Sequence, residues 1–232
     1  MINNHKKDFK KIFDELSQKY ARFSIWEAFV VMFACSLANR VRHPYFNDRE
    51  EFYKKYKDKF SQQEVNKISH LAAITILALS EKSNQDFLGE LYMELGLGNK
   101  KSGQFFTPYN VCQLMAEITM SEGDVLESEI KEKGYITIND PCCGGGTLLI
   151  AGANTAKERL KNSKYDVNKS VVLFAQDIDF LCALMCYVQL SVLGMPAVVK
   201  IGNSLTEPML AGEFSESYWV TAEYWKLFGR KS

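Results

Sequence analysis

The stretch Asn139-Asp140-Pro141-Cys142-Cys143-Gly144-Gly145-Gly146-Thr147-Leu148-Leu149-Ile150 decides the fold of this chain. An apolar run enters it, three consecutive glycines form a turn, and a helix-like run leaves it. The pattern predicts a strand, a tight loop and a helix N-terminus, where backbone N–H groups and the positive end of the helix dipole face outward. Glycine lets a ligand approach the backbone closely and tolerates positive φ. We therefore expect this loop to hold a small polar or anionic molecule.

Strands and helices alternate from the glycine loop onward. Apolar runs predict strands at 135–140, 171–176 and 197–201, and helical periodicity predicts helices at 147–162 and 179–193. This alternation predicts an α/β fold with right-handed crossovers and a parallel, Rossmann-like sheet that is shortened. We expect a charged loop between a helix at 111–120 and the first strand, and one or two more strands in the tail.

The first hundred residues have helical periodicity. Apolar residues recur at three- and four-residue steps between Phe9 and Tyr20, and again in the next segment. The pattern Ser61-Gln62-Gln63-Glu64 is typical of the capping box that starts a helix. We therefore predict a helical N-terminal domain over residues 1–102 and an α/β domain over residues 103–232.

The formal charge is balanced, with 28 Lys and Arg against 28 Asp and Glu. This neutrality argues against a protein that coats nucleic acid on its own. The distribution is uneven, since residues 1–102 carry 17 basic side chains against 13 acidic ones. A DNA contact is therefore expected on the N-terminal part, if the chain makes one.

The six cysteines have neither the spacing of a zinc site nor the pattern of a secreted disulfide framework. We expect reduced thiols that behave as small buried hydrophobes, and no bound metal. No apolar run reaches the roughly 18 residues of a membrane span, and the N-terminus lacks the apolar core of a signal peptide. These features predict a cytoplasmic protein without membrane contact.

A glycine loop of this kind is typical of two kinds of ligand site. A nicotinamide dinucleotide is disfavoured, because Leu149 stands where its fingerprint needs a third glycine and the strand-end acid, Asp177, comes too late. A ribose fits better, since the Asp177 carboxylate accepts from both of its hydroxyls. Asp179 is predicted to be a helix N-cap. Asn203 is predicted either to bind an adenine edge or to make an Asx turn.

Four motifs occur in order along the chain: Gly103-Gln104-Phe105-Phe106-Thr107-Pro108, Asp140-Pro141-x-Cys143-Gly144-x-Gly146-x-Leu148-Leu149, Asp177-Ile178-Asp179 and Gly202-Asn203-Ser204-Leu205. Together they resemble the motifs of amino-group (N6-adenine) DNA methyltransferases, and most closely the modification subunits of type I restriction systems. The resemblance covers about residues 84–205. The first motif followed by the glycine loop is far more specific than either motif alone.

The resemblance implies S-adenosylmethionine as the cofactor and methyl transfer to N6 of adenine in DNA. It implies that one segment closes over the methionine end, namely Phe106, Thr107 and Pro108. It implies that the glycine loop lies beneath the methionine and sulfonium, through Asp140, Cys142, Cys143, Gly144 and Gly146. It further implies that Asp177 binds the ribose and Ile178 packs on adenine, while Asn203 replaces an aspartate that accepts from adenine N6.

The family's catalytic Asn/Asp-Pro-Pro-Tyr/Phe element has no counterpart in this sequence, in which no two prolines are adjacent. The tail at 217–225 supplies aromatic residues but not the amide and carbonyl that bind the target amino group. We expect these aromatics to pack over an open sheet edge.

Two functions remain. One is an adenine-specific DNA methyltransferase, completed by an unorthodox tail or by a specificity or other restriction-modification subunit. The other is a catalytically impaired, cofactor-binding decoy or interaction module.

Overall fold

Helices come first along the chain, and a sheet with further helices follows. The computed structural model describes residues 4–98, 106–210 and 214–229. Residues 4–98 contain α1 (His5–Ser17), α2 (Arg22–Ala38), α3 (Phe46–Lys57), α4 (Gln62–Glu81) and α5 (Phe87–Glu94). The other two ranges contain α6 (Tyr109–Thr119), α7 (Gly123–Lys133), β1 (Ile136–Asp140), α8 (Thr147–Arg159), α9 (Val167–Ser170), β2 (Val171–Asp177), α10 (Phe180–Val192), β3 (Ala197–Ile201), β4 (Tyr218–Val220) and α11 (Ala222–Phe228).

Aromatic side chains form the centre of the helical region. Phe9 of α1 and Trp26 and Phe29 of α2 are fully buried, with ring centroids 5.3 to 6.0 Å apart. Each such pair contributes about 0.5–1.5 kcal/mol beyond its buried area. Helix α4 begins with the predicted capping box, in which Ser61 Oγ accepts from Glu64 N–H and the Glu64 carboxylate accepts from Ser61 N–H. The helical N-terminal region is thus confirmed.

The described strands form one sheet in the order β1-β2-β3-β4. The first three run parallel, with Ile136 opposite Val171 and Leu173 opposite Ala197, whereas β4 runs antiparallel to β3. Helix α8 follows β1 and helix α10 follows β2, so the carboxyl ends of the parallel strands meet at the same end of the sheet. The predicted α/β fold with a Rossmann-like sheet is confirmed.

Helix α10 connects the helical region to the sheet. It packs against β2 and β3 and also against α2, α4 and α5. Its side chains are mostly buried, and one continuous core extends from α1 to β3. The predicted domain boundary after residue 102 stays a prediction, and residues 99–105 lie outside the described ranges.

Two stretches fold differently from the sequence-based expectation. The charged stretch after α6 is helix α7 and not a loop, because Leu126 and Ile130 lie one turn apart and are buried. Gly134 ends this helix in the left-handed conformation, with φ of 86°. The described part of the tail adds one strand, β4, within the expected one or two, and the difference is that β4 pairs antiparallel in a sheet predicted to be parallel.

Side chains of α3 hold the tail against the sheet. The Arg49 guanidinium lies 3.7 Å from the centroid of the Trp219 ring and donates to the carbonyl of Tyr218. Trp219 is fully buried, and the rings of Phe214 and Trp225 pack with centroids 5.5 Å apart. These contacts confirm that the tail aromatics pack at the sheet edge.

No single helix in the described ranges is both long and apolar enough to cross a bilayer. The bent pair α1 and α2 meets that criterion only when the two helices are counted together. Most of α2 is buried in the protein core.

Candidate cofactor site

The glycine loop leaves the carboxyl end of β1 and starts helix α8. Gly144 and Gly146 have φ of 52° and 92°, in the left-handed region that other residues rarely adopt. A Cβ at Gly146 would lie 2.8 Å from Sγ of Cys186 on α10, and a Cβ at Gly144 would lie 3.1 Å from the ring of Phe106. Neither position has room for a side chain, so the loop presents bare backbone.

Hydrogen bonds from the loop backbone fix the two carboxylates beneath it. The N–H of Cys142 donates to Oδ1 of Asp140 at 3.0 Å. The N–H of Gly144 donates to Oδ2 of Asp177, at the end of β2, at 2.8 Å. Residues 140–146 together with Asp177 are called the floor of the site.

The carboxylates of the floor interact with each other. Burial raises the pKa of Asp140, the N–H of Cys142 opposes this shift, and the negative charge of Asp177 adds to it. Each oxygen of Asp177 already accepts one backbone N–H, from Gly144 or from Asp179, and each retains a lone pair. Two neighbouring anions of this kind favour a ligand that brings positive charge and hydroxyl donors.

The two cysteines of the loop have different surroundings. Cys143 is buried, and a hydrogen bond with Cys186, followed by burial, raises the pKa of its thiol well above the ordinary value. The thiol therefore stays neutral at physiological pH. The expectation that the cysteines are buried holds for Cys143 and is wrong for Cys142, which is exposed at the cavity wall.

A cavity of about 210 Å³ lies above the floor. The predicted residues that line it are Phe106, Thr107, Asp140, Cys142, Cys143 and Gly144. Met115 of α6 and Thr147 of α8 complete part of its wall. Sites for whole small molecules are usually about 300–1,000 Å³. A cavity of this volume holds one end of a nucleoside-sized ligand and leaves the rest over the strand ends, where Asp177 lies.

The segment before α6 forms one side of the cavity. The ring of Phe106 packs on Tyr92 of α5, with centroids 5.5 Å apart. Pro108, the exposed residue before α6, does not line this cavity but lines a neighbouring one of about 480 Å³ together with Phe106 and Thr107. Residues 103–105 of the predicted motif lie outside the described ranges.

Exposed side chains follow the carboxyl ends of β2 and β3. Ile178 is 71% exposed and Leu205 is 90% exposed, at the end of the sheet where open α/β folds bind ligands. Oδ1 of Asn203 accepts from the N–H of Leu205 at 2.9 Å, which is the Asx turn of the two predicted alternatives. Asp179 caps α10 by accepting from Cys182 N–H, as predicted. Ile178, Asn203 and Leu205 are called the rim of the site.

A buried polar group behind the floor was missed from the sequence. Asp86 precedes α5 and is hydrogen-bonded to Thr147 and Gln189, although these residues lie far apart in the chain. The one local signal is an aspartate cap followed three residues later by Gly89, inside the first turn of a helix.

The family of the chain follows from its match to a known family model. The model of the N-6 DNA methylase family matches residues 83–224, more than half of the chain. The chain belongs to this family. The match includes the floor, the rim and the segment that begins with Asp86.

Two further comparisons add little to this assignment. A search of curated proteins finds no match. A Listeria monocytogenes protein assigned as a class I S-adenosylmethionine-dependent methyltransferase is similar in structure, with a TM-score of 0.38 and 14% identity. That match covers 90% of this chain and 56% of the Listeria chain, so this chain spans little more than half of that length.

The cofactor of the methylase is S-adenosylmethionine, and the floor fits it. Asp140 and Asp177 offer negative charge to its cationic groups, and Asp177 retains acceptors for its ribose hydroxyls. The absence of a side chain at Gly144 lets the ring of Phe106 lie against the loop, and both residues line the cavity. When bound, the cofactor supplies an electrophilic methyl group on a sulfonium.

Proposed function

We propose that the chain is a DNA methyltransferase that modifies the N6 amino group of adenine, as part of a restriction-modification or mobile-element system in the cytoplasm. The observation that carries the proposal is the floor. Asp140 and Gly144 line one cavity at the carboxyl end of β1, and Asp177 at the end of β2 is hydrogen-bonded to the N–H of Gly144 beside it. This arrangement supports S-adenosylmethionine as the methyl donor. Membership of the N-6 DNA methylase family supports an amino group of DNA as the methyl acceptor.

The residues of the chain bind and orient the donor in this reaction. Asp140 and Asp177 hold positive charge without being consumed, because neither carboxylate needs to change its protonation state. Phe106 and Thr107 form one side of the cavity that receives the donor. Ile178 offers an apolar surface to the adenine ring of the cofactor.

The acceptor side of the reaction needs groups that the described residues do not provide. An adenine amino group is a weak nucleophile, and hydrogen-bond acceptors around its two N–H groups raise its reactivity. The tail aromatics are packed at the sheet edge, and Glu223 pairs with Lys226 at 3.2 Å. We propose that a partner chain, such as a specificity or other restriction-modification subunit, supplies the element that holds the target base.

DNA is the proposed macromolecular substrate. Residues 1–102 are net basic, and Lys54, Lys55 and Lys59 of the α3 region are exposed to solvent. Cations of this kind contact phosphates without reading sequence. The charge excess is small, which is consistent with a chain that binds DNA together with a partner.

The packing of the tail also favours a second candidate function. When the tail aromatics are packed at the sheet edge, they are not available to stack on a target base. A family member of this kind can bind the cofactor and a partner without transferring a methyl group. Such a module would act by interaction, imitating a modification subunit toward its partners.

Two measurements separate these functions. Titration calorimetry with S-adenosylmethionine is expected to show binding that Asp177→Ala weakens; absence of binding contradicts both functions. Transfer of labelled methyl to mixed-sequence DNA is then measured with the chain alone and with a candidate partner subunit. Label in DNA from the chain alone refutes the interaction module. Label that requires the partner supports a completed enzyme, and no label despite binding supports the module.

A further inference from the structure

A buried carboxylate lies directly behind the glycine loop. Asp86 is 2% exposed and caps helix α5, where its Oδ1 accepts from the N–H of Gly89 at 2.8 Å. Oδ1 also accepts from Nε2 of Gln189 at 2.7 Å, and Oδ2 accepts from Oγ1 of Thr147 at 2.5 Å. The carboxylate therefore joins α5, α8 and α10 at one point.

A helix cap alone does not account for this residue. Ser, Thr or Asn caps a helix as well as Asp does, without placing a charge in the core. Burial raises the pKa of Asp86, its hydrogen bonds oppose that shift, and the nearby Glu90 adds to it. Its donors among the described residues are a hydroxyl, a carboxamide and a backbone N–H. What a carboxylate adds over the other caps is a second oxygen, and that oxygen binds Thr147.

Helix α5 has a glycine, Gly89, next to this carboxylate, and a glycine inside a helix lowers the stability of that helix. A Cβ at Gly89 would lie 2.0 Å from Oδ2 of Asp86, so no other residue fits there. Glycine inside a helix is less favourable than alanine by about 1 kcal/mol. Asp86 and Gly89 thus form a matched pair, in which the glycine lets the carboxylate reach past α5 to α8.

Gln189 carries the connection from Asp86 to the floor. It is fully buried, and its Nε2 donates to the carbonyl of Gly145 at 2.8 Å as well as to Asp86. Its Oε1 accepts from the N–H of Leu88 at 3.1 Å. These three partners fix which way the carboxamide points, and they hold the peptide of Gly145 from behind.

Thr147 lies between the network and the cofactor cavity. It is the first residue of α8, its hydroxyl is bound to Asp86, and it also lines the cavity. The Gly145 carbonyl is bound by Gln189 on the same buried side, whereas Gly144 lines the cavity. The carbonyl of Gly145 and the hydroxyl of Thr147 are therefore both bound by the buried network, which restrains the loop where it enters α8.

We infer that Asp86, acting through Gln189 and Thr147, is a positioning residue for S-adenosylmethionine, and that helix α5 is part of the cofactor site. The inference rests on the proposed function, which requires the floor to bind this cofactor. Gln189 lines neither the cavity above the floor nor its larger neighbour of about 480 Å³, which shares Phe106 and Thr107 with it, so Gln189 acts through the loop. Asp86 lines only the neighbouring cavity, and its hydrogen bonds connect it to the floor through Gln189 and Thr147.

Substitutions at Asp86 and Gln189 test the inference without altering the residues that line the cavity above the floor. Asp86→Asn and Gln189→Met are expected to weaken S-adenosylmethionine binding at least tenfold in calorimetry. They are also expected to speed hydrogen–deuterium exchange at residues 144–148 of the ligand-free protein. Should Asp86→Asn not fold, Gln189→Met carries the test alone. Wild-type affinity and exchange in Gln189→Met would overturn the inference.

Matched variants separate positioning from general loss of stability. Thr75→Val removes a buried hydroxyl that donates to the carbonyl of Leu71 within α4 at 2.9 Å, away from the loop. It is expected to lower the urea midpoint and to leave affinity within twofold. Thr147→Val is expected to weaken binding as Gln189→Met does, and Thr147→Ser to restore it. Equal weakening by Thr75→Val, or no rescue by serine, contradicts the inference.

The two proposals fail in different ways. If the wild-type chain does not bind S-adenosylmethionine, the proposed function is wrong, and the exchange experiment still reports whether Asp86 and Gln189 order the loop. If the wild type binds and all these variants bind equally well, the function stands and the positioning role is wrong.

Discussion

The floor of the cofactor site is bonded within the protein, whereas the rim offers exposed apolar side chains. In the floor, Asp177 accepts backbone N–H groups and Gly146 packs its bare Cα against Cys186. In the rim, Ile178 and Leu205 are mostly exposed. The floor is therefore preformed and intolerant of change, while the rim adds contact area to a ligand that the floor has already oriented.

The largest expected effect on binding is at Asp177. Asp177→Ala removes the acceptor of the Gly144 N–H and both lone pairs offered to the ribose. Loss of hydrogen bonds to a charged group predicts weaker S-adenosylmethionine binding by about 100-fold, or roughly 2.7 kcal/mol. Asp179→Asn is the matched control, since it changes a neighbouring carboxylate but keeps the cap of α10. A similar loss in the control would show that the effect does not depend on the floor.

The next effect is on folding, at Gly146. Gly146→Ala forces a side chain into φ of 92° and places its Cβ 2.8 Å from Sγ of Cys186. We expect the free energy of unfolding to fall by about 2 kcal/mol or more in urea titrations. Gly194→Ala is the control, because Gly194 has φ of 66° with nothing within 4 Å of its Cβ position. It should cost about 1 kcal/mol. Equal losses would mean that contact with α10 does not constrain the floor.

A third effect depends on pH, through Asp140. Burial and the charge of Asp177 raise its pKa, so this carboxylate is protonated at higher pH than an ordinary aspartate. Its negative charge, and the attraction for a cationic cofactor, are present above that pKa and lost as the pH falls through it. As the pH is lowered into the acidic range, affinity should therefore fall more steeply in the wild type than in Asp140→Asn. Parallel pH profiles in calorimetry would contradict this role for Asp140.

Much of the floor was predictable because it depends on local pattern. Consecutive glycines between a strand and a helix specify a tight turn, and Asp179 before a helix specifies a cap; the structure shows both. The parallel order of the strands follows from their alternation with helices. Asn203 left two alternatives open, since an amide after a strand serves a turn and a ligand equally well.

The parts that sequence reasoning missed depend on contacts between distant residues. Asp86 and Gln189 are 103 positions apart, and neither carries a motif of its own. Helix α7 was missed because its buried face consists of Leu126 and Ile130 within a mostly charged segment. The antiparallel β4 is three residues long, and its position depends on packing by Arg49 from the helical region.

A smaller effect is expected at the rim, from Ile178. Ile178→Ser removes apolar area that the ligand would cover, and at about 25 cal/mol per Å² this predicts about fivefold weaker binding. The side chain is exposed, so the free energy of unfolding should not change. Ile118→Ser is the matched control, because Ile118 on α6 is 74% exposed and does not line the cavity. Equal effects of the two serines on calorimetric affinity would rule out a specific contact at the rim.

The smallest effect is expected at Asn203. The structure shows this side chain in an Asx turn, whereas the family resemblance implies that it binds adenine. Oδ1 of Asn203 is engaged by the N–H of Leu205, so its first role is to hold the turn after β3. Asn203→Ala should weaken cofactor binding about twofold and lower stability by about 1 kcal/mol. Asn203→Asp keeps the turn acceptor and adds charge, so its affinity should equal or exceed that of the wild type. A loss of tenfold or more in Asn203→Ala, with stability unchanged, would instead assign the side chain to the adenine edge. In that case the rim, like the floor, would hydrogen-bond the cofactor, and only its two apolar side chains, Ile178 and Leu205, would distinguish it from the floor.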